Sequence, residues 1–154
     1  HPAFWQIDYS WEGFQWIVPD DSSQNVVVFL RRDKKGGEVI AVCNFAPVLR
    51  PDYKFGVPRA GQYAELINSD AEEFGGTGQH NAPVRAKKQP MHGFDYSISL
   101  RVPPMSAVIL RTPAAKPAKA DGPAPKKAAA RGARAKPARK TAARKTTGKQ
   151  AKDA

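Results

Sequence analysis

The sequence predicts an all-β protein: an antiparallel β-sandwich over residues 19–111, followed by a basic tail with no fold of its own. Three observations lead there. Asn25 to Phe45 holds two β-branched runs around the turn Asp33-Lys34-Lys35-Gly36-Gly37, the pattern of a β-hairpin. Short apolar runs separated by Gly, Pro and Asp recur as far as Arg111, and none has the period of an amphipathic helix. From Thr112 onward nine lysines and four arginines face only Asp121 and Asp153, so the tail carries the whole net charge of +11; the twelve basic and twelve acidic residues before it cancel.

In chain order, His1 to Val18 gathers Phe4, Trp5, Ile7, Tyr9, Trp11, Phe14, Trp16 and Ile17, including all three tryptophans. So dense an aromatic cluster marks an interface. Residues 1–18 are expected to form a leader, with Trp16 and Ile17 entering the local core and Trp5 facing a neighbour. Pro19 to Ser23 reads as a turn. In the hairpin's second strand Val39, Ala41, Cys43 and Phe45 alternate with Ile40 and Val42, which predicts a sheet covered on both sides. Ala46 to Asp52 is a proline-broken connection, unfit for a central strand. Tyr53–Val57 and Gln62–Asn68 read as short strands around the turn Arg59-Ala60-Gly61. Ser69 to Gly93 is polar and glycine-rich, a long irregular loop of the kind that is functional or mobile. Asp95 to Val102 alternates Tyr96, Ile98, Leu100 and Val102 against Ser97, Ser99 and Arg101, and Ser106 to Arg111 is a last strand with Val108 and Leu110 inward.

The chemistry-bearing residues form no catalytic or cofactor pattern. His1, His80 and His92 lack a second His or Cys at metal-ligand spacing. Gly75-Gly76-Thr77-Gly78 has no following Lys-Ser/Thr, so it is not a phosphate loop. Asp20-Asp21 and Glu72-Glu73 read as solvated pairs in turns, and no serine stands in a nucleophile elbow. Cys43, the lone cysteine, is expected to be a small core residue, which rules out an internal disulfide and fits a reducing compartment. No apolar run is long enough to span a membrane, and the residues given show no signal-peptide pattern. The start at His1, on an aromatic-rich segment without an initiator Met, suggests a cut through a longer protein.

Residues 112–154 have no aromatic or large aliphatic side chain, so burial cannot offset their chain entropy and disorder is expected. Such a cationic coil either contacts nucleic acid or another polyanion non-specifically through phosphates, or serves as a solubilising appendage. In the folded part, Tyr53, Phe55, Tyr63 and Tyr96 are candidates for a row of exposed rings that would stack on sugars, as in a stand-alone carbohydrate-binding sandwich, although alternation puts Tyr96 with the core residues.

The order of segments is more specific than any one motif. Trp11-Glu12-Gly13-Phe14-Gln15-Trp16-Ile17 precedes Phe29-Leu30-Arg31-Arg32 and Val42-Cys43-Asn44-Phe45-Ala46-Pro47-Val48. Arg50-Pro51-Asp52-Tyr53-Lys54-Phe55-Gly56-Val57-Pro58, Gly61, Glu65-Leu66-Ile67-Asn68-Ser69-Asp70, Phe74-Gly75-Gly76 and Ser99-Leu100-Arg101-Val102-Pro103-Pro104 follow. From His1 to Arg111 this series resembles the C-terminal end of bacterial 1,4-α-glucan (glycogen) branching enzymes of the α-amylase superfamily. Ala46 and Pro51 depart from the family's pattern, and the tail runs past its usual end.

The resemblance implies that residues 19–111 are the C-terminal all-β domain of such an enzyme, a cytoplasmic glycosyltransferase of glycogen biosynthesis. It implies that residues 1–18 lead from a catalytic (β/α)8 barrel, with Phe4, Trp5, Trp11 and Phe14 at the barrel interface. The family transfers α-1,4-glucan segments to 6-hydroxyls through a covalent glycosyl-enzyme, which takes two carboxyls about 5 Å apart. Those carboxyls stand on the barrel, which needs about 250 residues, so no catalytic, cofactor or metal residue is carried onto this chain. The partners implied are the chain's own barrel and α-glucan.

Overall fold

A computed structural model describes residues 1–114, and the hairpin expected between Asn25 and Phe45 forms. β2 (Val26–Arg32) pairs with β3 (Glu38–Asn44) without a shift, from Val26↔Asn44 to Arg32↔Glu38. The turn closes because Asp33 Oδ1 accepts the amides of Lys35 at 2.8 Å and Gly37 at 2.7 Å. Gly36 supplies the left-handed backbone, at φ +79°, that a side chain would strain.

β1 (Phe14–Asp21) adds to the free edge of β2, and this corrects the reading of residues 19–23 as a turn: the strand crosses the expected boundary at residue 18. Its register shifts between Trp16 and Val18 and again before Asp21. An edge strand with bulges tolerates Pro19, which has no amide to give a neighbour. The first bulge also turns two consecutive residues, Ile17 and Val18, into the core.

β4 (Arg50–Val57) begins earlier than expected, with Pro51 inside the register shift between Arg50 and Tyr53. β5 (Gln62–Asn68) and β8 (Ser106–Arg111) match their expected bounds, and β7 (Tyr96–Val102) starts one residue late. A two-residue strand, β6 (Val84–Arg85), lies in the stretch read as loop. All pairings are antiparallel: six strands form one sheet in the order β1-β2-β3-β8-β5-β6, and β4 and β7 form the second. Ile17, Val18, Val28, Leu30, Ile40, Val42, Val108 and Leu110 from the first sheet meet Tyr53, Phe55, Val57, Ile98, Leu100 and Val102 from the second, which makes the core of a sandwich.

The chain's end is tied down further than expected. Thr112 is buried and donates its hydroxyl to the Glu38 carbonyl at 3.0 Å, so the fold does not stop at Arg111. The disordered tail expected over 112–154 lies, beyond residue 114, outside the described residues.

The glycine-rich loop is anchored by carboxylates. Asp70 Oδ2 accepts the Thr77 hydroxyl at 2.7 Å and the Gln79 amide at 3.2 Å, while Oδ1 accepts the Thr77 amide at 3.1 Å. Glu65 Oε1 accepts Asn81 Nδ2 at 2.6 Å, and Asn81 exchanges two bonds of 2.8 Å with the backbone of Arg101. The loop thus straps β5 to β7 across the edge of the sandwich.

Asp70 sets a pH limit on that strap. The Thr77 hydroxyl, then the Thr77 amide, hold its carboxyl below the ordinary 3.8. A depressed native value means the clamp is complete above the unfolded value and weakens as pH falls through the lower native one. Hydrogen exchange at Thr77 and Gln79 should keep its protection through neutral and mildly acid pH and lose it below pH 3.8, ahead of the β2–β3 amides. Asp70→Asn, with one acceptor oxygen in place of two, should lower that protection already at pH 7. Protection equal to the native chain's would exclude the clamp.

Candidate functional site

The larger sheet has two apolar faces, and only one of them is closed by the second sheet. Alternation puts Val28, Leu30, Ile40, Val42, Val108 and Leu110 inward, and the residues between them outward. The register then lines up an apolar row across five strands of the outer face: Trp16 opposite Phe29, Phe29 opposite Ala41, Ala41 opposite Ile109, Ile109 opposite Ile67. Val27, Cys43 and Ala107 form a second row beside it.

Aromatic contacts build the β1 end of this face. Phe14 meets Trp16 edge-on at 4.9 Å and stacks on Phe29 at 5.4 Å. The Arg31 guanidinium lies over the Phe14 ring at 5.9 Å and donates to the carbonyls of Ala3 at 3.3 Å and Phe4 at 3.1 Å. One arginine therefore joins the leader to the sheet. The leader continues through two single 3₁₀ turns, Pro2–Phe4 and Trp11–Gly13. It folds back on itself at Gly13, where a Cβ would stand 1.8 Å from the Ile7 carbonyl oxygen, so only glycine fits there. Ala3 is fully buried beneath it.

The four residues expected at an interface separate into two kinds. Phe4 (36% exposed), Trp5 (64%) and Trp11 (83%) present their side chains to solvent. Phe14 is half-buried in the aromatic cluster of the sheet. Trp16 corrects the expectation that it enters the core: it is 50% exposed on the outer face, because it shares that face with Phe14 while Ile17 turns inward. Sequence reasoning missed Trp16, Phe29 and Ile67 as members of one surface. Alternation from Phe14 to Trp16 carried a signal for the first; the five-strand row depends on a pairing order that has no local trace.

Two further expectations change. Cys43 is half-buried in the outer rows rather than in the core, with burial pushing its thiol pKa up, and Phe45 is exposed beyond the end of β3. The proposed row of sugar-stacking rings does not exist as a surface. Tyr53, Phe55 and Tyr63 are buried, and Tyr96 packs against the core. Tyr53 donates its hydroxyl to Asp21 Oδ2 at 2.9 Å, and Tyr63 donates to the Arg59 carbonyl at 2.9 Å. Burial raises both phenols, Tyr63 to about 12, so each stays a neutral donor at physiological pH.

The histidines are engaged locally. His1 Nδ1 accepts the Ala3 amide at 3.3 Å, His92 Nδ1 accepts the Gly56 amide at 3.2 Å, and His80 Nδ1 stands 3.8 Å from Glu65 Oε2. Among the described residues no three His, Cys, Asp or Glu side chains converge as a metal site, and no helix is long and apolar enough to cross a membrane. The candidate site is the outer face of the larger sheet with the aromatic leader beside it.

Comparison with known proteins agrees with this architecture. Residues 16–113 match the family model described as alpha amylase, C-terminal all-beta domain. The chain is 47% identical over 111 residues to the 1,4-alpha-glucan branching enzyme GlgB of Francisella philomiragia, 45% to that of Aquifex aeolicus and 41% to that of Halothermothrix orenii. Each match covers 71% of this chain but only 17 to 18% of the relative. The chain thus spans about a sixth of the length of the curated relatives it matches.

Proposed function

Because the chain belongs to the alpha-amylase C-terminal all-beta domain family, we propose that it is the C-terminal part of a cytoplasmic 1,4-α-glucan branching enzyme. The observation that carries this reading is identity of 41 to 47% to three such enzymes over 111 residues. The parent protein breaks an α-1,4 bond of a glucan and transfers the freed segment to a 6-hydroxyl, building branches in glycogen. The two carboxyls of that retaining transfer belong to a barrel of about 250 residues. This chain's own contribution is to pack on the barrel and stabilise it.

Residues 1–13 are the strip between barrel and sandwich. Phe4, Trp5 and Trp11 contact the barrel directly, and the outer apolar row from Trp16 to Ile67 extends the same contact. Trp16 and Ile67 are exposed at the ends of the row, with Phe29 and Ile109 half-buried and Ala41 buried between them, and clustered apolar side chains of this kind mark an interface. Phe14 acts behind that surface, holding the ring of Phe29 and the guanidinium of Arg31.

The native protein, captured from its source cells with an antibody against residues 1–114, is expected to be a chain several times longer that introduces α-1,6 branches into amylose. A native product of the present length, inactive on amylose, would overturn the reading.

The interface has its own test. Trp11→Glu with Ile67→Glu, at side chains 83% and 44% exposed, should leave the unfolding free energy of the present chain within about 0.5 kcal/mol of native, as exposed positions do. In the full-length enzyme the same pair should lower the thermal midpoint and the branching rate at elevated temperature. No effect in the full-length enzyme would remove the outer face from the interface.

A second reading concerns residues 112–154 alone, whose thirteen basic and two acidic residues favour contact with polyanions. Double-stranded DNA should bind with an affinity that falls by about 0.9 log units per log unit of salt for each phosphate engaged. Deleting residues 115–154 should abolish the binding. A slope near zero, or binding that survives the deletion, would leave the tail without this role.

A further inference from the structure

The outer face of the two-stranded sheet carries a different kind of surface. Lys54 on β4 stands opposite Ser99 on β7, and the segment ahead of β7 pairs beside that strand through bonds of 2.9 and 3.0 Å between the backbones of Lys87 and Ser97. With Arg85 of β6 and Gln89, these residues line a cavity of about 150 Å³. No acidic side chain lines it. Asp52 and Asp95, the acids nearest in sequence, are exposed and outside its lining. Lys54, Arg85 and Lys87 make no ion pair among the described residues.

The cavity also holds an unexplained polar atom. Ser99 Oγ is buried and has no hydrogen-bond partner, a state that calls for a missing acceptor or donor. Ser97, only 4% exposed, lines the same space. No aromatic ring takes part in the lining, which argues against a sugar stacked there.

We propose that this cavity binds a compact oxyanion: a phosphate group, free or as the monoester of a small molecule. Three cations supply the charge, and the Arg85 guanidinium can meet two phosphate oxygens at once. The Ser99 hydroxyl donates to a third. The volume is below the roughly 300 Å³ at which sites for drug-sized ligands begin. It suits a single phosphate, with the remainder of an ester in solvent. This site is separate from the outer face of the larger sheet and does not depend on the branching-enzyme reading.

The test is a titration of the full ¹⁵N-labelled chain with inorganic phosphate and, separately, glycerol 3-phosphate, at constant ionic strength held with chloride. The backbone amides of Ser97 and Ser99 should shift and saturate. Lys54→Gln with Arg85→Gln should weaken the binding by about tenfold or more while the unfolding midpoint stays put. Ser99→Ala, which removes a hydroxyl with no protein partner, should weaken binding without loss of stability. Tighter binding of the ester would identify an ester as the ligand, and equal binding would assign recognition to the phosphate alone. Shifts confined to residues 115–154, or shifts at Ser97 and Ser99 that survive the double substitution, would overturn the proposal.

Discussion

The pairing of β8 with β3 is the constraint on which the sandwich depends. β8 is the last strand in sequence, yet it sits in the middle of the six-stranded sheet, between β3 and β5. Without it the β1-β2-β3 unit and the β5-β6 unit have no common edge, and β4 and β7 have no continuous floor to pack on. The closure spans a long stretch of chain, but loop entropy grows only about 0.6 kcal/mol per doubling of length. The cost of this non-local pairing therefore falls on the folding rate more than on stability, as in other sheets built from non-local pairs. Side chains at both ends of β3 secure the closure. At one end Asn44 Nδ2 donates to the carbonyls of Val48 at 2.9 Å and Pro103 at 2.8 Å, while Oδ1 accepts the Ala46 amide at 3.0 Å. At the other, buried Glu38 lies 2.7 Å from Arg32 and 2.8 Å from Arg59, and its carbonyl accepts from Thr112. A carboxylate buried to 5% side-chain exposure would cost several kcal/mol if unpaired, so the two arginines are what make its position tenable.

Those clamps also explain why the sheet can afford two apolar faces. A half-exposed antiparallel strand alternates apolar with polar, whereas a strand covered twice reads as a continuous apolar run. β2 and β3 are of the second kind, and β8 is too, with Ala107 and Ile109 between Ser106, Val108 and Leu110. Two strands of the opposing sheet cover the inner face only. The leader covers one end of the outer face, where Arg31 holds it. The rest of that face keeps its apolar character without a partner within residues 1–114, and this makes it the feature of the molecule with the strongest claim to an interface.

Much of the fold was legible because its signals are local. The β2–β3 hairpin follows from two apolar runs and an Asp-Gly turn, and β5, β7 and β8 from alternation bounded by Gly, Pro or Asn. β1 was not, for a physical reason. Its bulge breaks the period of two and sends adjacent Ile17 and Val18 inward, and Pro19 mimics a turn signal although an edge strand accepts it. Trp16 misled in the opposite sense, since its size suggested burial while its parity with Phe14 required the outer face. The strap from Ser69 to Gly93 read as loose because anchors such as Asp70–Thr77 and Glu65–Asn81–Arg101 join side chain to backbone across the fold, with no periodic trace. The homologous series from Trp11 to Pro104 was legible as a whole, since it needed only order and spacing.

The titratable groups show how the folded part is held in shape. Asp21 is partly buried, which alone would raise its pKa; hydrogen bonds from the Ser23 and Tyr53 hydroxyls and the Gln24 amide, with the charge of Arg50, bring it below the ordinary value. Asp70 is lowered by Thr77, and the Tyr53 and Tyr63 phenols are raised by burial. A catalytic carboxyl or phenol is tuned toward the pH at which it works; here every resolved shift on a carboxyl or phenol moves away from neutrality. Each fixes a group in one protonation state, the carboxylates as acceptors and the phenols as donors. Perturbed groups of this kind lock loops and strand ends in place, and so keep the outer face of the larger sheet in fixed geometry.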